Sequence, residues 1–550
     1  MCYKEMLHGK LPSNRPCSAE NPYFAGRTPD DSDSDSVTEE HPRTNAQHTP
    51  TLRFLPEILA VIFALHAEAT PTNPDRNGAI IPEGMTLAQF RLGWITVTHV
   101  CSLWRHVALD YCTLWAHHRF NLGLEWTTEM LRRAGGAPLK LTFSKQVVPY
   151  PPSEDDVGNV IRQLLHRVST LTIEENACTS AVLNTLTAPA PLLYSLTISA
   201  SQLIALPQSL FGDDVPNLHH LCLSNALPTW TSVALTCLKS LSITIDLRNT
   251  DMSKMLTYDD LFNALQTMHD LESLDLVGCI PSGPCHFEQK VQLPKLRYLL
   301  LRCHVPGFRQ VLERLQFPPE TTVKGTCITD DMTGKECCGV LPVMLSYLPR
   351  PSLETLNVSW GDQFDRGFYI GGYSTSYEEE SSGKPSFFLQ GSRCFSIGFQ
   401  FRFVLWSAAQ KLRILKAVCD ALPTEELRVL SGKLDLGKNA WPEIFGNHKD
   451  LRHVRVCSLT TLGSLIPFLA REGVYPKLVS LTLRDMDLSP KRGTAIPFID
   501  GLKPGRPPKP GKIFIENCRI RRDLVDWMRA AVPDVEIVWD EMELPKGRGQ

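Results

Sequence analysis

At 550 residues the chain has room for two to four domains of about 100–200 residues, or for one long array of repeats. Its 56 lysines and arginines face 59 acids, and residues 1–50 hold five of the first and eight of the second. The remainder is balanced at fifty-one of each sign, which disfavours phosphate-backbone binding as the main business of the chain.

Hydrophobic residues at 43% and charged residues at 21% describe a globular protein with material for a large core. The opening residues MCYKEMLHGK lack the apolar core of a signal peptide, and no apolar run approaches the ~18 residues of a membrane span. The 17 cysteines form no C-x-x-C pair, so the expected setting is a reducing cytoplasm or nucleus, with thiols as small buried hydrophobes.

Residues 1–50 are rich in Pro, Ser, Thr, Asn and Asp, and 28–40 pack six acids among hydroxyls. Such a segment buries too little surface to offset its ordering entropy and is expected to be a disordered acidic tail. Ser32 and Ser36 each have an acid three residues on, which suits an acid-directed kinase; a solvated tail is the plainer reading.

From Leu55 the pattern changes. Pro56 suits the first turn of a helix, where its missing N–H leaves no gap. Leu55, Ile58, Leu59 and Ile62 form one stripe, while Val61, Phe63 and Leu65 add apolar surface away from it, so this helix needs cover on two sides. Residues 70–84 break it with three prolines and two glycines. Trp94, Val97, Cys101, Trp104 and Ala108 then recur at helical spacing, widened by Val100 and Val107, and Leu114-Trp115 closes the unit. About three helices in so short a stretch make a core that is marginal alone. The surplus apolar face belongs either to the following domain or to a partner.

Leu55-Pro56-Glu57-Ile58-Leu59, then Val100-Cys101-Ser102-Leu103-Trp104-Arg105, then Thr113-Leu114-Trp115 resembles an F-box, and more closely the F-box-like proteins abundant in mushroom-forming fungi. The likeness covers roughly residues 52–118. It implies docking onto the Skp adaptor of a cullin–RING ubiquitin ligase. By position, Leu55, Pro56, Ile58, Leu59 and Ile62 would touch the adaptor, with Val100, Cys101, Trp104 and Val107 from the later helices. The 70–84 insertion between the first and second helices departs from the family pattern.

From about residue 139 a phrase recurs: apolar-x-x-apolar-x-apolar. Its middle positions are Leu171, Leu196, Leu221, Leu241, Leu274, Leu299, Leu356, Val454 and Leu481, mostly 20–33 residues apart with two wider gaps of 57 and 98. This is the spacing of leucine-rich repeats, in which each unit makes one short parallel strand and a return segment. Degenerate copies are expected around Val323, at Phe399-Gln-Phe401 and at Leu434-Asp-Leu436, with end strands at Leu139-Lys-Leu141 and Ile513-Phe-Ile515. The Asn or Cys that follows a regular repeat strand is expected at Asn176 and Cys279, so the array is irregular. Residues 360–393, rich in Gly, Ser and Tyr, read as a long surface loop, and 503–512 as a Pro-rich connector.

Because side chains alternate along a strand, the residues flanking the central leucines face outward. Early repeats place small polar groups there; later ones place Tyr298, Arg302, His453, Arg455 and Arg484. That set is a candidate site for an acidic or phosphorylated target segment, against the alternative of an ordinary solvated face. No phosphate loop, nucleophile elbow or H-E-x-x-H helix is present, and Cys279, Cys285-His286 and Cys327/Cys337/Cys338 lack the paired spacing of a zinc site. No enzyme activity, cofactor or metal is expected.

The expected fold class is α/β: a short N-terminal helical F-box-like module over 51–122, then an irregular leucine-rich repeat solenoid over 123–540, then a flexible 541–550. The resemblance implies a substrate-recognition subunit of a ubiquitin ligase, binding the Skp adaptor, a cullin–RING ligase and an unknown target protein, with no nucleic acid and no membrane. The alternative is a ligase-independent binding scaffold that keeps the F-box shape.

Overall fold

The computed structural model describes residues 54–70, 72, 92–119, 124–143, 154–178, 180–246, 257–281, 283–329, 331, 335–346, 353–360, 367–373, 394–401, 408–434, 440–469, 471, 473–488, 498–500 and 510–541. The acidic tail, nearly all of the 70–84 insertion, most of the 503–512 connector and residues 542–550 lie outside them. The chain divides into two compact units, Met1–Cys237 and Leu238–Gln550. Both are mixed α/β, and both carry the leucine-rich repeat arrangement of stacked parallel strands.

The first unit opens with α1 (Pro56–Ala69), with Pro56 at its start and Leu55 extended before it. A 3-10 segment (Gly93–His99), α2 (Ser102–Asp110) and a second 3-10 segment (Cys112–Ala116) follow. Their shared core is Leu59, Phe63, Trp94, Val97, Val107, Ala108, Leu114 and Trp115. Trp94 and Trp115 meet edge to face with ring centres 5.0 Å apart, and Trp115 Nε1 donates to the Ala108 carbonyl at 2.7 Å, so the indole is buried with its polar handle satisfied. The helical stripe through residues 94–108 is interrupted: Cys101 is extended, and its sulfur accepts the Trp104 N–H at 3.5 Å, capping α2.

The helices are not separate from the repeats. Strand β1 (His117–His118) runs parallel to β2 (Leu139–Phe143), so the sheet of this unit begins one strand earlier than the repeat phrase indicates. Between them, α3 (Leu124–Ala134) lays the Arg133 guanidinium 4.3 Å over the Trp115 ring. After α4 (Glu154–Leu164) come β3 (Val168–Ile173), α5 (Ser180–Leu183), β4 (Ser195–Ala205) and β5 (His220–Leu227). Leu171, Leu196 and Leu221 are in register across three parallel strands, each at most 1% exposed. That row is the continuous core that no single repeat could bury by itself.

His118 gives this junction a pH signature. Burial pushes its imidazole down to about 3, so it is neutral in the folded protein. The unfolded chain takes up that proton below about 6.5. Stability from this site is therefore intact above that pH and is lost as pH falls toward 3, by about 2 kcal/mol at pH 5. His118→Gln should flatten this part of the acid dependence in unfolding midpoints measured from pH 7 to 5; an unchanged slope would show that the ring is charged in place.

In the second unit the elements are β6 (Ser240–Thr244), α6 (Tyr258–Thr267), β7 (Ser273–Val277), β8 (Val291–Gln292), β9 (Tyr298–His304), α7 (Val305–Arg314), β10 (Leu315–Gln316) and β11 (Thr322–Thr329). Then come α8 (Lys335–Leu345), β12 (Thr355–Trp360), β13 (Gly367–Tyr373), β14 (Cys394–Phe401), α9 (Ala408–Asp420), β15 (Val429–Lys433), α10 (Ala440–Phe445) and β16 (His453–Val456). Helix α11 (Leu459–Leu469), β17 (Ser480–Arg484), β18 (Lys512–Glu516), α12 (Arg522–Ala531) and β19 (Glu536–Trp539) complete it.

The sheet of this unit runs β6-β7-β9-β11-β14-β13-β12-β15-β16-β17-β18-β19. It is parallel except for β13, which is antiparallel to both neighbours. The stretch 360–393, expected as a surface loop, thus contains an interior strand, and Phe368 and Ile370 on it are fully buried. The two-residue period is hard to read because Gly372 takes the inward place that follows Phe368 and Ile370. The strand at Phe399 is present as expected, in register with Cys327 of β11. The copy expected at Leu434-Asp-Leu436 is displaced: the strand is Val429–Lys433, with Leu427, Leu430 and Gly432 in the repeat frame. At the C-terminal end β19 pairs beyond Ile513–Ile515, so β18 is not the edge.

Neighbouring repeats are stapled at fixed positions. Cys279 Sγ donates to the Ile243 carbonyl at 3.7 Å, and Cys518 Sγ donates to the Leu483 carbonyl at 3.4 Å, the same bond from the position two residues past the end of each strand to the last core residue of the preceding one. Cys518 therefore fills the consensus role that was legible only at Asn176 and Cys279. On the surface, Lys295–Asp270 at 2.5 Å and Lys477–Asp450 repeat one rung, the residue before the first leucine of the phrase.

Candidate partner-binding surfaces

Helix α1 is apolar nearly all round, and only Leu59, Ala60 and Phe63 point into the core. Leu55, Ile58, Val61, Ile62 and Leu65 lie on its other side, between 41% and 63% exposed, and Val100 beyond the 3-10 segment is 60% exposed. The stripe read as one face is split: Leu59 turns inward with Phe63, while Leu55, Ile58 and Ile62 turn out. A row of five large aliphatic side chains on one helix is more than the scattered exposed hydrophobics of an ordinary surface.

Of the nine residues expected at an adaptor contact, Leu55, Pro56, Ile58, Ile62 and Val100 are exposed. Leu59 and Val107 belong to the core instead, because the small helical unit has few other apolar groups to fill it. Cys101 is half-buried as the cap of α2, and Trp104 packs its ring 5.1 Å from Phe63.

On the repeats, the five residues expected to hold a target do not form one open set. His453 is 2% exposed, with Nδ1 2.8 Å from Ser480 Oγ, and Arg455 is 6% exposed, so neither faces solvent. Ser480 and Thr482 of β17 are closed off as well, which shows that the outward face of the late repeats is covered. Arg455 is neutralised by Glu516, whose Oε2 lies 3.3 Å from its Nη2, and Arg484 lies 3.7 Å from the same oxygen and 3.3 Å from Asp485. The alternation rule gives the side of a strand but not what lies over it.

Tyr298 and Arg302 of β9 remain accessible, and the structure adds two residues that the sequence reading passed over. Lys324 of β11 lies in register with Leu300, and its Nζ sits 5.4 Å from the centre of the Tyr298 ring. Asp275 of β7 is in register with Leu300 on the other side. The signal for Lys324 was present: Val323 marks the repeat frame, and the next residue must point outward. In the first unit the outward positions are mostly small and polar; the larger ones are Lys140 on β2, Glu174 after β3 and His220, whose Nε2 is 3.0 Å from Tyr194 Oη.

Elsewhere, α7 and α8 flank an open cleft lined by Arg309, Glu313, Lys335 and Glu336, in which Arg309 and Glu313 pair at 2.6 Å. Among the described residues no group of three His, Cys, Asp or Glu side chains is arranged to hold a metal ion, and no helix is long and apolar enough to cross a membrane. Burial pushes the thiols of Cys178 and Cys518 up to about 11 and that of Cys279 up to about 12, so they are inert at neutral pH.

No protein-family model matches the chain, and no curated protein matches it significantly. Among solved structures, the crystal structure of an internalin (inlF) from Listeria monocytogenes str. 4b F2365 aligns over 72% of this chain and 96% of its own, at 12% identity and a TM-score of 0.21. That superposition is too loose to carry a functional conclusion.

Proposed function

We propose that the chain is a protein-interaction subunit that recruits a target to a cullin–RING ubiquitin ligase, with α1 docking on the Skp adaptor and the repeats holding the target protein. Such a subunit performs no bond chemistry; it raises the effective concentration of target beside the charged ubiquitin carrier. The observation that carries this reading is the outward row Leu55, Ile58, Val61, Ile62 and Leu65, on a helix whose other side is pinned by Leu59 and Phe63. A second reading, a scaffold that joins no ligase, draws on the 70–84 insertion that follows that helix in the sequence. Either activity belongs to a reducing cytoplasm or nucleus.

The test is capture of a Skp adaptor by the full chain, wild type beside Ile58→Asp/Ile62→Asp. Both side chains face outward, so the variant should keep its unfolding midpoint while binding about a hundredfold more weakly, as two desolvated carboxylates replace two anchors. A folded wild type that does not bind the adaptor would overturn the ligase reading and leave the scaffold.

A further inference from the structure

The outward face around β9 is built as a cross. Leu300, half-exposed, is its centre; Tyr298 and Arg302 lie two residues before and after it on the same face, and Asp275 and Lys324 are its register neighbours on β7 and β11. Register neighbours stand about 4.8 Å apart and same-face residues along a strand about 7 Å apart, so the five side chains share one patch the width of a few peptide residues.

The charges of the patch are not compensated by its surroundings. Arg302 donates from Nη2 to the neutral Gln400 Oε1 at 2.8 Å, and among the described residues neither Arg302 nor Lys324 has a carboxylate within ion-pair distance. Gln400 holds the guanidinium across Thr326, toward Lys324's side of the face. On the other arm, Asp275 Oδ1 is closed to solvent; burial raises the carboxyl pKa and the Lys324 charge opposes that shift, so Asp275 orients Lys324 from within the patch without pairing with it.

We infer that this face binds an extended acidic peptide, with an apolar side chain over Leu300 and Tyr298 and a carboxylate or phosphate on Arg302 and Lys324. The inference deepens the reading of the repeats as target-holding by naming the class of target, and it rests on that reading only in taking the partner to be a protein. Charge-assisted bonds to two cations give most of the affinity, and the strands beneath hold both in fixed register. The early repeats carry one outward cation, Lys140, and in the late ones Arg455 is buried and Arg484 is paired, so neither sets two cations beside a half-exposed tyrosine and leucine as β9 and β11 do.

The full-length protein is titrated into three fluorescein-labelled peptides of equal length, carrying Leu-Glu-Glu, Leu-phosphoserine-Glu or Leu-Ser-Gln between Gly-Ser flanks. The first two should bind and the third should not, with affinity falling as salt rises. Tighter binding of the phosphoserine peptide assigns a phosphorylated target; equal binding assigns an encoded acidic one. Arg302→Gln/Lys324→Gln should weaken the acidic peptides about a hundredfold, and each single substitution about tenfold. The charge-matched Arg413→Gln/Lys416→Gln on α9 should leave them unchanged. Equal binding of the neutral peptide, no binding of any, or equal loss in both double variants would overturn the inference. Adaptor capture measured on the same proteins separates the two questions: capture intact with no acidic-peptide binding removes this assignment alone, and the reverse removes only the ligase reading.

Discussion

Glu516→Ala should destabilise the second unit by about 3–5 kcal/mol, far more than any exposed acid on this chain, because it leaves the Arg455 guanidinium buried without its counter-charge. The two side chains are 7% and 12% exposed, with Nη2 and Oε2 3.3 Å apart. Burial pushes the Arg455 pKa down and Glu516 is the chief opposing influence, yet a guanidinium does not shed its proton in water. The whole desolvation penalty then falls on the folded state.

Arg484 provides the contrast. It reaches the same Glu516 oxygen at 3.7 Å but is 37% exposed and has Asp485 beside it, so Arg484→Ala should cost about 1 kcal/mol or less. Replacing both members of the buried pair, as Arg455→Met/Glu516→Met, should come close to neutral, since two apolar side chains of similar length remove the desolvation penalty together with the attraction. Urea midpoints, with hydrogen exchange followed in β16–β18, would separate the three variants. Equal, mild losses for Glu516→Ala and Arg484→Ala would mean that Arg455 stands in water, and the late repeats would again be an open face available to a partner.

That outcome bears on what a repeat sequence can disclose. The phrase located nine strands because the leucine row is one-dimensional physics: each middle position had to fall in register on its neighbour, and Leu274 against Leu299 or Val454 against Leu481 does. It failed where another element supplied the apolar atoms. The sequence points to Leu434 for β15 because Gly432 occupies the third core position of the phrase, and β13 reads as a loop because Gly367, Gly371 and Gly372 dilute its aromatics. The candidate sites divide along the same line. Direction was legible, so Tyr298 and Arg302 are outward as expected; cover was not, so His453 and Arg455 are closed off although their frame is the same. On α1 the excess of apolar residues was evident, but which of them the small core would claim depended on Trp94 and Trp115 arriving from residues far along the chain.

Gly325→Leu should destabilise the protein even though it restores the repeat consensus. Gly325 is the third core position of β11, in register with Leu301 on one side and Ile397 on the other. The place a leucine would take is filled from outside the strand: a Cβ on Gly325 would stand 2.5 Å from two carbons of the Phe308 ring, which α7 inserts fully buried against the sheet. Overpacking at so short a distance costs about 1–3 kcal/mol because the ring has no free space to enter. Phe308→Ala should cost about 3–5 kcal/mol for the cavity it leaves. The double variant Gly325→Leu/Phe308→Ala should lose about 1–3 kcal/mol less than the sum, since the new side chain grows into the space the ring has vacated. Trp441 does the same for Gly432, its Cζ3 lying 3.0 Å from where a Cβ would be, while its Nε1 donates to Tyr475 Oη, which donates to the Phe445 carbonyl. Strict additivity at Gly325 and Phe308 in chemical denaturation would mean that the two do not share one volume. Coupling would show that the degenerate repeats owe their stability to aromatic residues on the helices, which a consensus derived from the strands alone does not contain.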